Sequence, residues 1–365
     1  MKIIHITTAH RRYDTRIFHK YTSLLSEVYR HRVLLFVADN RGDEVINNIQ
    51  IRDFGGQRKN RIMRILLSHY SIFRAVINSS SDIIHFHDPE LIPLAILLKI
   101  TGKTVIFDVH EDYGESMRYR TYIPVFLRRI MGVACHILEK VSYTKFDAVV
   151  FATPHIMNKF GNKPHYMCAR NYPLAKEFHS VKHNKPDDRV LCYVGGISRV
   201  RGILQLLDAL GDIPDVRLIL AGEFESLDLQ LECQRHPNWR LVDFRGFVNR
   251  AEVQKIFYES SHGILNFLPG PNHDYALPNK LFEYAAAGLV VVSSNFTEWR
   301  SIIEKGELGA CIDPSNPKEI AAAVLRTKRL NTLKLRKSRA EFILRNYVWE
   351  NELLPVHTNY EGLIK

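Results

Sequence analysis

With 365 residues, 46% of them hydrophobic and 24% charged, the chain has an ordinary globular composition and enough length for two domains. No apolar run reaches the ~18–20 residues of a membrane span, and five scattered cysteines (Cys135, Cys168, Cys192, Cys233, Cys311) fit reduced cytosolic thiols rather than a disulfide or zinc framework. The formal charge of +11 sits in the first half: residues 1–190 hold 29 Lys/Arg and 18 Asp/Glu, residues 191–365 hold 21 of each.

The opening MKIIHITTAH has too short an apolar run for a signal peptide and reads as a first strand. RVLLFVA, DIIHFH, TVIFDVH and DAVVFAT follow, apolar and β-branched like strands covered on both faces. Between them lie residues 57–75 (QRKNRIMRILLSHYSIFRA) and 118–138 (RYRTYIPVFLRRIMGVACHIL), which contain no acidic residue and mix Arg with aliphatic and aromatic side chains at helical spacing. That composition suits interfacial helices on an anionic membrane surface, and equally two helices with solvated basic faces. No nucleic-acid motif is present and the aromatics form apolar stripes, so no nucleic-acid partner is expected. HFHD places His85 and His87 on one face of a strand, with Asp88 and His110 nearby. A structural role is the commoner outcome for such a pair, and no metal is expected there.

The polar stretch 176–189 reads as a linker, and a second alternating series follows: VLCYVGG, VRLILAG, WRLVDFRG, GILNFL, LVVVSS and GACID. The pattern predicts an α/β protein of two doubly wound domains, with ligands at the C-terminal ends of the strands. Three segments there carry chemistry. In YVGGISRVRG, Gly195 and Gly196 let backbone approach a phosphate, and Arg199 and Arg201 add charge; a tight turn with surface arginines explains the same pattern. In VDFRGFVNR, Arg245 and Gly246 end a strand before a turn that can wrap a flat base, although an ordinary loop is the commoner outcome of such a pattern. In LPNKLFEYAAAGLVVVSS, a helix over 279–287 stops at Gly288 before a strand over 289–293. Its Glu283, near the helix N-terminus and flanked by small residues, can accept from the two hydroxyls of a ribose.

Together these segments resemble the C-terminal domain of GT-B glycosyltransferases of the retaining family 4. DTRIFHK, DIIHFHDPELIP, IFDVHEDY and the final NYVWENEL resemble family members that build bacterial surface polysaccharides. The resemblance implies two Rossmann-like domains facing each other across a cleft. Residues 1–178 would bind the acceptor and 189–345 the nucleotide sugar, with 346–365 a helix crossing back to the first domain. Implied catalytic residues are His110, Arg201 and Glu283. On the donor side it implies Gly195, Gly196, Arg199, Arg201, Arg245, Tyr275, Leu277, Pro278, Asn279, Lys280 and Glu283, and on the acceptor side Asp14, Arg16, His87, Asp88 and Glu111. Two positions depart from the family pattern: Tyr275, beside Asp274, stands where the family has its first Glu, and Gly196 where it has an Arg. The implied reaction transfers a sugar from a nucleotide diphosphate sugar, UDP-linked in the commoner case, to a glycan or lipid-linked acceptor without cofactor or metal. An epimerase on the same fold and a catalytically weak nucleotide-sugar-binding protein are the alternative readings.

Overall fold

The computed structural model describes residues 1–29, 31–55, 61–119, 124–178, 186–270 and 276–363, with the backbone alone for 61–66, 118–119 and 125. The chain divides into two compact units, residues 1–170 with 349–365, and residues 171–348. The first boundary falls before the expected linker at 176–189, and its reason is packing: Tyr172 stacks edge-on against Phe282 and Tyr347, and Phe178 is buried in the second core.

The first unit is an eight-stranded sheet in the order β3-β4-β2-β1-β5-β6-β7-β8. Its strands are β1 Lys2–Ile6, β2 Arg32–Val37, β3 Glu44–Ile46, β4 Ile49–Asp53, β5 Ile83–Phe86, β6 Thr104–Val109, β7 Ala148–Phe151 and β8 Tyr166–Cys168. All neighbours are parallel except β3 and β4, which form an edge hairpin. The turn of that hairpin is Asn47-Asn48, both at positive φ (49° and 63°), the backbone a tight primed turn requires. The hairpin escaped the strand reading because its strands are short and interrupted by polar residues, and β8 because it is only three residues long.

One sheet face is wholly apolar, with Ile4, Ile6, Phe86, Phe107 and Val109 in its core. Side-chain alternation then sends His5, His85 and Asp108 to the opposite face, where register sets His5 beside His85. That face is covered by the π-helix Thr15–Thr22 and by the C-terminal helix Trp349–Leu363, which Tyr21 meets at Trp349, ring centroids 4.9 Å apart. Arg170 fixes the C-terminal helix, its backbone N–H donating to Glu352 Oε2 at 2.8 Å. Among the described residues no helix is long and apolar enough to cross a membrane.

The second unit is a six-stranded, all-parallel sheet in the order β11-β10-β9-β12-β13-β14. The strands are β9 Val190–Val194, β10 Arg217–Ala221, β11 Val242–Gly246, β12 His262–Leu265, β13 Val290–Ser294 and β14 Gly309–Ile312. Both faces are apolar: Val190, Cys192 and Val194 enter one core, Leu191 and Tyr193 the other. This strand order reverses direction between β9 and β12, which opens a crevice at their C-terminal ends. In the first unit the corresponding reversal lies between β1 and β5.

Candidate functional site

At the second unit's reversal point, β9 runs into Gly195-Gly196 and β12 into Asn266-Phe267, whose Asn266 Nδ2 donates to Gly202 O at 2.6 Å. The helix Asn279–Ala286 starts beside them after Pro278 and ends before Gly288 at φ 80°. Lys280, half-buried, lays its ammonium 4.7 Å from the Tyr193 ring centroid and 5.8 Å from that of Phe267. Arg201 lies over the same Phe267 at 5.4 Å and donates from Nη1 to Gly196 O at 2.9 Å. No described carboxylate lies within ion-pair distance of Lys280 or Arg201. Burial pushes the Lys280 pKa down to about 7, with Arg201 adding to the effect and Glu283 opposing it. Two basic side chains so placed beside a glycine turn are chemically suited to an anion.

Gly195 is at φ 119°, and a Cβ there would stand 2.3 Å from Lys280 Cε and Nζ. The glycine therefore does two jobs, adopting a backbone that side chains disfavour and making room for the lysine.

Glu283 is buried, and Oε1 accepts from Arg250 Nη2 at 2.7 Å. The same guanidinium is held by Glu177, whose Oε2 accepts from Nε at 3.0 Å. Burial works against the Arg250 charge, but the two carboxylates outweigh it and raise its pKa. Arg250 is aimed by its helix, Arg250–Glu259, which begins with a capping box between Asn249 and Glu252. Neither Glu177 nor Arg250 was singled out as a site residue from the sequence, because the three charges lie far apart along the chain and only the fold gathers them.

Two expected donor contacts are directed elsewhere. Arg199 is exposed and its guanidinium pairs with Glu232. Arg245 Nη2 is taken by Asp243 at 3.0 Å and Glu259 at 2.7 Å. In both cases a local carboxylate captured the arginine. Leu277, Pro278 and Asn279 lead into the Lys280 helix as expected, and Asn279 Oδ1 is buried without a partner. Tyr275 and Asp274 lie outside the described residues.

The first unit gathers a second polar site. Asp108, buried at the end of β6, accepts from Arg16 Nε at 2.8 Å and Nη2 at 2.7 Å. His110 Nε2 lies 2.9 Å and His87 Nδ1 3.3 Å from its Oδ2. Despite burial, the Arg16 and His110 charges hold the Asp108 carboxyl well below the usual range. Asp14 does not enter this site; it caps the π-helix, accepting from the backbone N–H of Arg16 and Ile17. Asp88 Oδ2 accepts from Thr7 Oγ1, Thr8 N and Ala9 N, and its Oδ1 lies 2.6 Å from His10 Nδ1. Burial opposes ionisation of Asp88, yet His10 and these donors bring its pKa down to about 2. His10 is a polar residue the sequence reading missed; its ring centroid lies 4.6 Å from that of His110. Glu111 is exposed and stays outside the cluster.

Among the described residues, two groups have ligand atoms within 4.8 Å of one another, His5/His85/His87 and His87/Asp108/His110. In the second, Asp108 is already bound two-pronged by Arg16, whose charge opposes a cation there. In the first, the imidazoles are fully buried and burial holds the pKa of His5 and His85 well below normal. They are neutral donors, suited in type to a transition metal.

Residues 188–328 match the family model described as Glycosyl transferases group 1. No curated protein sequence matches the chain. Among solved structures, HepE of Anabaena in complex with UDP and glucose superposes with a TM-score of 0.76 at 13% identity, over 99% of this chain and 100% of that one. Sucrose-phosphate synthase of Thermosynechococcus elongatus gives 0.75 at 15% identity, over 99% and 98%. A glycosyltransferase of Rickettsia africae gives 0.71 at 12% identity, over 100% and 98%. The chain has the GT-B glycosyltransferase fold, and its second unit carries the match to Glycosyl transferases group 1.

Proposed function

We propose that this chain is a retaining, metal-independent glycosyltransferase of family 4, moving a sugar from a UDP-linked donor to a glycan or lipid-linked acceptor in bacterial surface polysaccharide synthesis, in the cytoplasm. The observation that carries this is the Lys280–Arg201 pair, set without a described carboxylate against the Gly195-Gly196 turn at the reversal point of its sheet. UDP is favoured because HepE was solved with UDP and with UDP-glucose, and an E. coli trehalose-6-phosphate protein with UDP-2-fluoro glucose.

On this reading the diphosphate lies against the glycine turn between Lys280 and Arg201, and Glu283, oriented by Arg250, accepts from the ribose hydroxyls. The bond from the sugar's anomeric carbon to the leaving phosphate breaks while the acceptor oxygen bonds to that carbon on the same face. The two cations stabilise the charge growing on the phosphate, and a phosphate oxygen takes the acceptor's proton. In the first unit His110 is partly exposed and offers a polar contact to an acceptor hydroxyl, whereas His87 and Asp88, expected on the acceptor side, are fully buried behind it.

The test is a thermal-shift and calorimetric panel of UDP, GDP, ADP and dTDP. A rise with UDP alone is expected. A rise with another nucleotide alone reassigns the base, and no rise with any removes the donor site. Slow hydrolysis of the accepted sugar nucleotide, followed by proton NMR, should show the α anomer first from an α-linked donor; the β anomer would remove retention. Bound nucleotide without turnover would favour the weak binding protein.

Two further results are expected. Gly195→Ala should weaken UDP binding by about tenfold or more, since the new Cβ displaces Lys280 and strains the turn. UDP binding should also take up a proton at neutral pH. Lys280 titrates near 7 when free, and the diphosphate raises that value, so affinity falls as pH climbs from 7 through the raised pKa. Calorimetry in buffers of different ionisation enthalpy measures the uptake, and Lys280→Met should abolish it.

A further inference from the structure

We propose that the helix Val125–Tyr143 is a docking element that lies flat on an anionic lipid bilayer. The helix is inside out. Its outward stripe is Phe126, Ile130, Val133, Ile137 and Val141, exposed by 74, 63, 45, 55 and 56%. The steps of four, three, four and four residues keep all five on one face. The inward face carries Gly132, Glu139, Ser142 and Tyr143, all buried. On that face Tyr143 Oη donates to Glu139 Oε1 at 2.9 Å, and Ser142 Oγ to Leu138 O at 2.6 Å. A helix on a water-facing surface has the opposite arrangement, and a run of large aliphatic side chains about 22 Å long is an interaction surface. The helix Ile92–Ile100, packed beside it, adds exposed Leu97 and Ile100.

Charge selects the occupant. Arg129, Lys140 and Lys145 are exposed along or just beyond the helix, residues 118–138 contain no acid, and Glu139, the helix's one acidic residue, is turned inward. A second copy docked on the same stripe would set these cations against their own equivalents with no carboxylate on the helix to answer them. An anionic bilayer answers both features at once, taking the apolar stripe into its interface and the cations onto its headgroups. The helix does not span. This surface is independent of the sugar-transfer reading.

The test is flotation of the full chain, without nucleotide, with vesicles of phosphatidylcholine alone or mixed with phosphatidylglycerol. Binding is expected to the mixed vesicles at low salt and to be about tenfold or more weaker at high salt or without phosphatidylglycerol. Ile130→Glu/Ile137→Glu should lose about tenfold or more of it while keeping the wild-type melting temperature. Phe126→Trp, which keeps the stripe apolar, should show a blue-shifted emission on the mixed vesicles. Absence of flotation, flotation unchanged in the glutamate variant, or no emission shift overturns the proposal. A dimer in light scattering that the glutamate variant dissolves also overturns it, since a second copy would then be the occupant.

Discussion

Asp108→Ala is expected to destabilise the first unit by about 3–5 kcal/mol, the cost of leaving a buried charge without its partner. Arg16 is buried on the polar face of the sheet, bound two-pronged by Asp108, with Nη1 donating to Ala169 O at 2.8 Å. Without the carboxylate, a guanidinium stays in the interior beside His87 and His110 with a carbonyl and the rings of Tyr21 and Trp349, but no described anion, to answer it. Urea unfolding with hydrogen exchange read at β1, β5 and β6 separates this loss from the second unit. The double variant Arg16→Ala/Asp108→Ala should recover part of it, because the stranded charge goes too. A double variant as unstable as the sum of the singles would mean that the pair contributes through packing alone.

The same cluster sets an acid limit. His5, His85 and His87 are buried neutral; burial brings His87 down to about 4, although Asp108 pulls the other way. An unfolded histidine binds its proton near ~6.5. Between these values the unfolded chain takes up protons that the folded one refuses, so stability is complete above ~6.5 and falls toward pH 4. For His87 alone the loss is on the order of 3 kcal/mol. Asp88, at about 2, adds stability that is present above ~4 and is lost as pH falls through 2. His10 works in the opposite sense: burial opposes its charge, but Asp88 outweighs it and raises the pKa, so its contribution is full below ~6.5 and lost at higher pH. Among the described residues the second unit holds one such group, His262, which burial brings down to about 3, against three in the first. The expected net result is therefore a first unit that unfolds on mild acidification before the second, by the same exchange measurement.

Glu283→Ala is expected to weaken UDP by about 10- to 150-fold, the value of a charge-assisted hydrogen bond of ~1.5–3 kcal/mol. Calorimetry with UDP, UMP and uridine locates the loss. If Glu283 holds the ribose, the deficit persists for all three ligands. Lys280→Met and Arg201→Ala should weaken UDP strongly, UMP less and uridine not at all. A Glu283→Ala deficit that vanished with uridine would place the carboxylate elsewhere than on the sugar of the nucleoside. Arg250→Ala should reproduce part of the Glu283 effect, because the guanidinium fixes the carboxylate's position through Oε1.

Much of the architecture is visible along the chain. The eleven strands expected from apolar runs all form, because a parallel strand covered on both faces announces itself by unbroken Val, Ile and Leu. The hairpin of β3 and β4 was hidden because an edge strand with one wet face reads as Glu, Asn and Gln. The glycines at 195 and 196, the Lys280 helix and His85, His87 and His110 could also be found by position. Their partners could not. The spacing of Lys280 and Glu283 suggests one charged pair on one helix face, yet the two side chains part. Glu283 turns to Arg250, which Glu177 also holds, and Lys280 turns to Tyr193, Phe267 and the space that Gly195 leaves. Local sequence determined where the Lys280 helix starts and stops, with Pro278 before it and Gly288 after it, because such signals act over a few residues. Which charges meet was decided by the strand order, which lays β9 beside β12 and so joins turns about seventy residues apart. The same order, by placing β1 beside β5 and β5 beside β6, turned scattered histidines and Asp108 into a single buried cluster around Arg16.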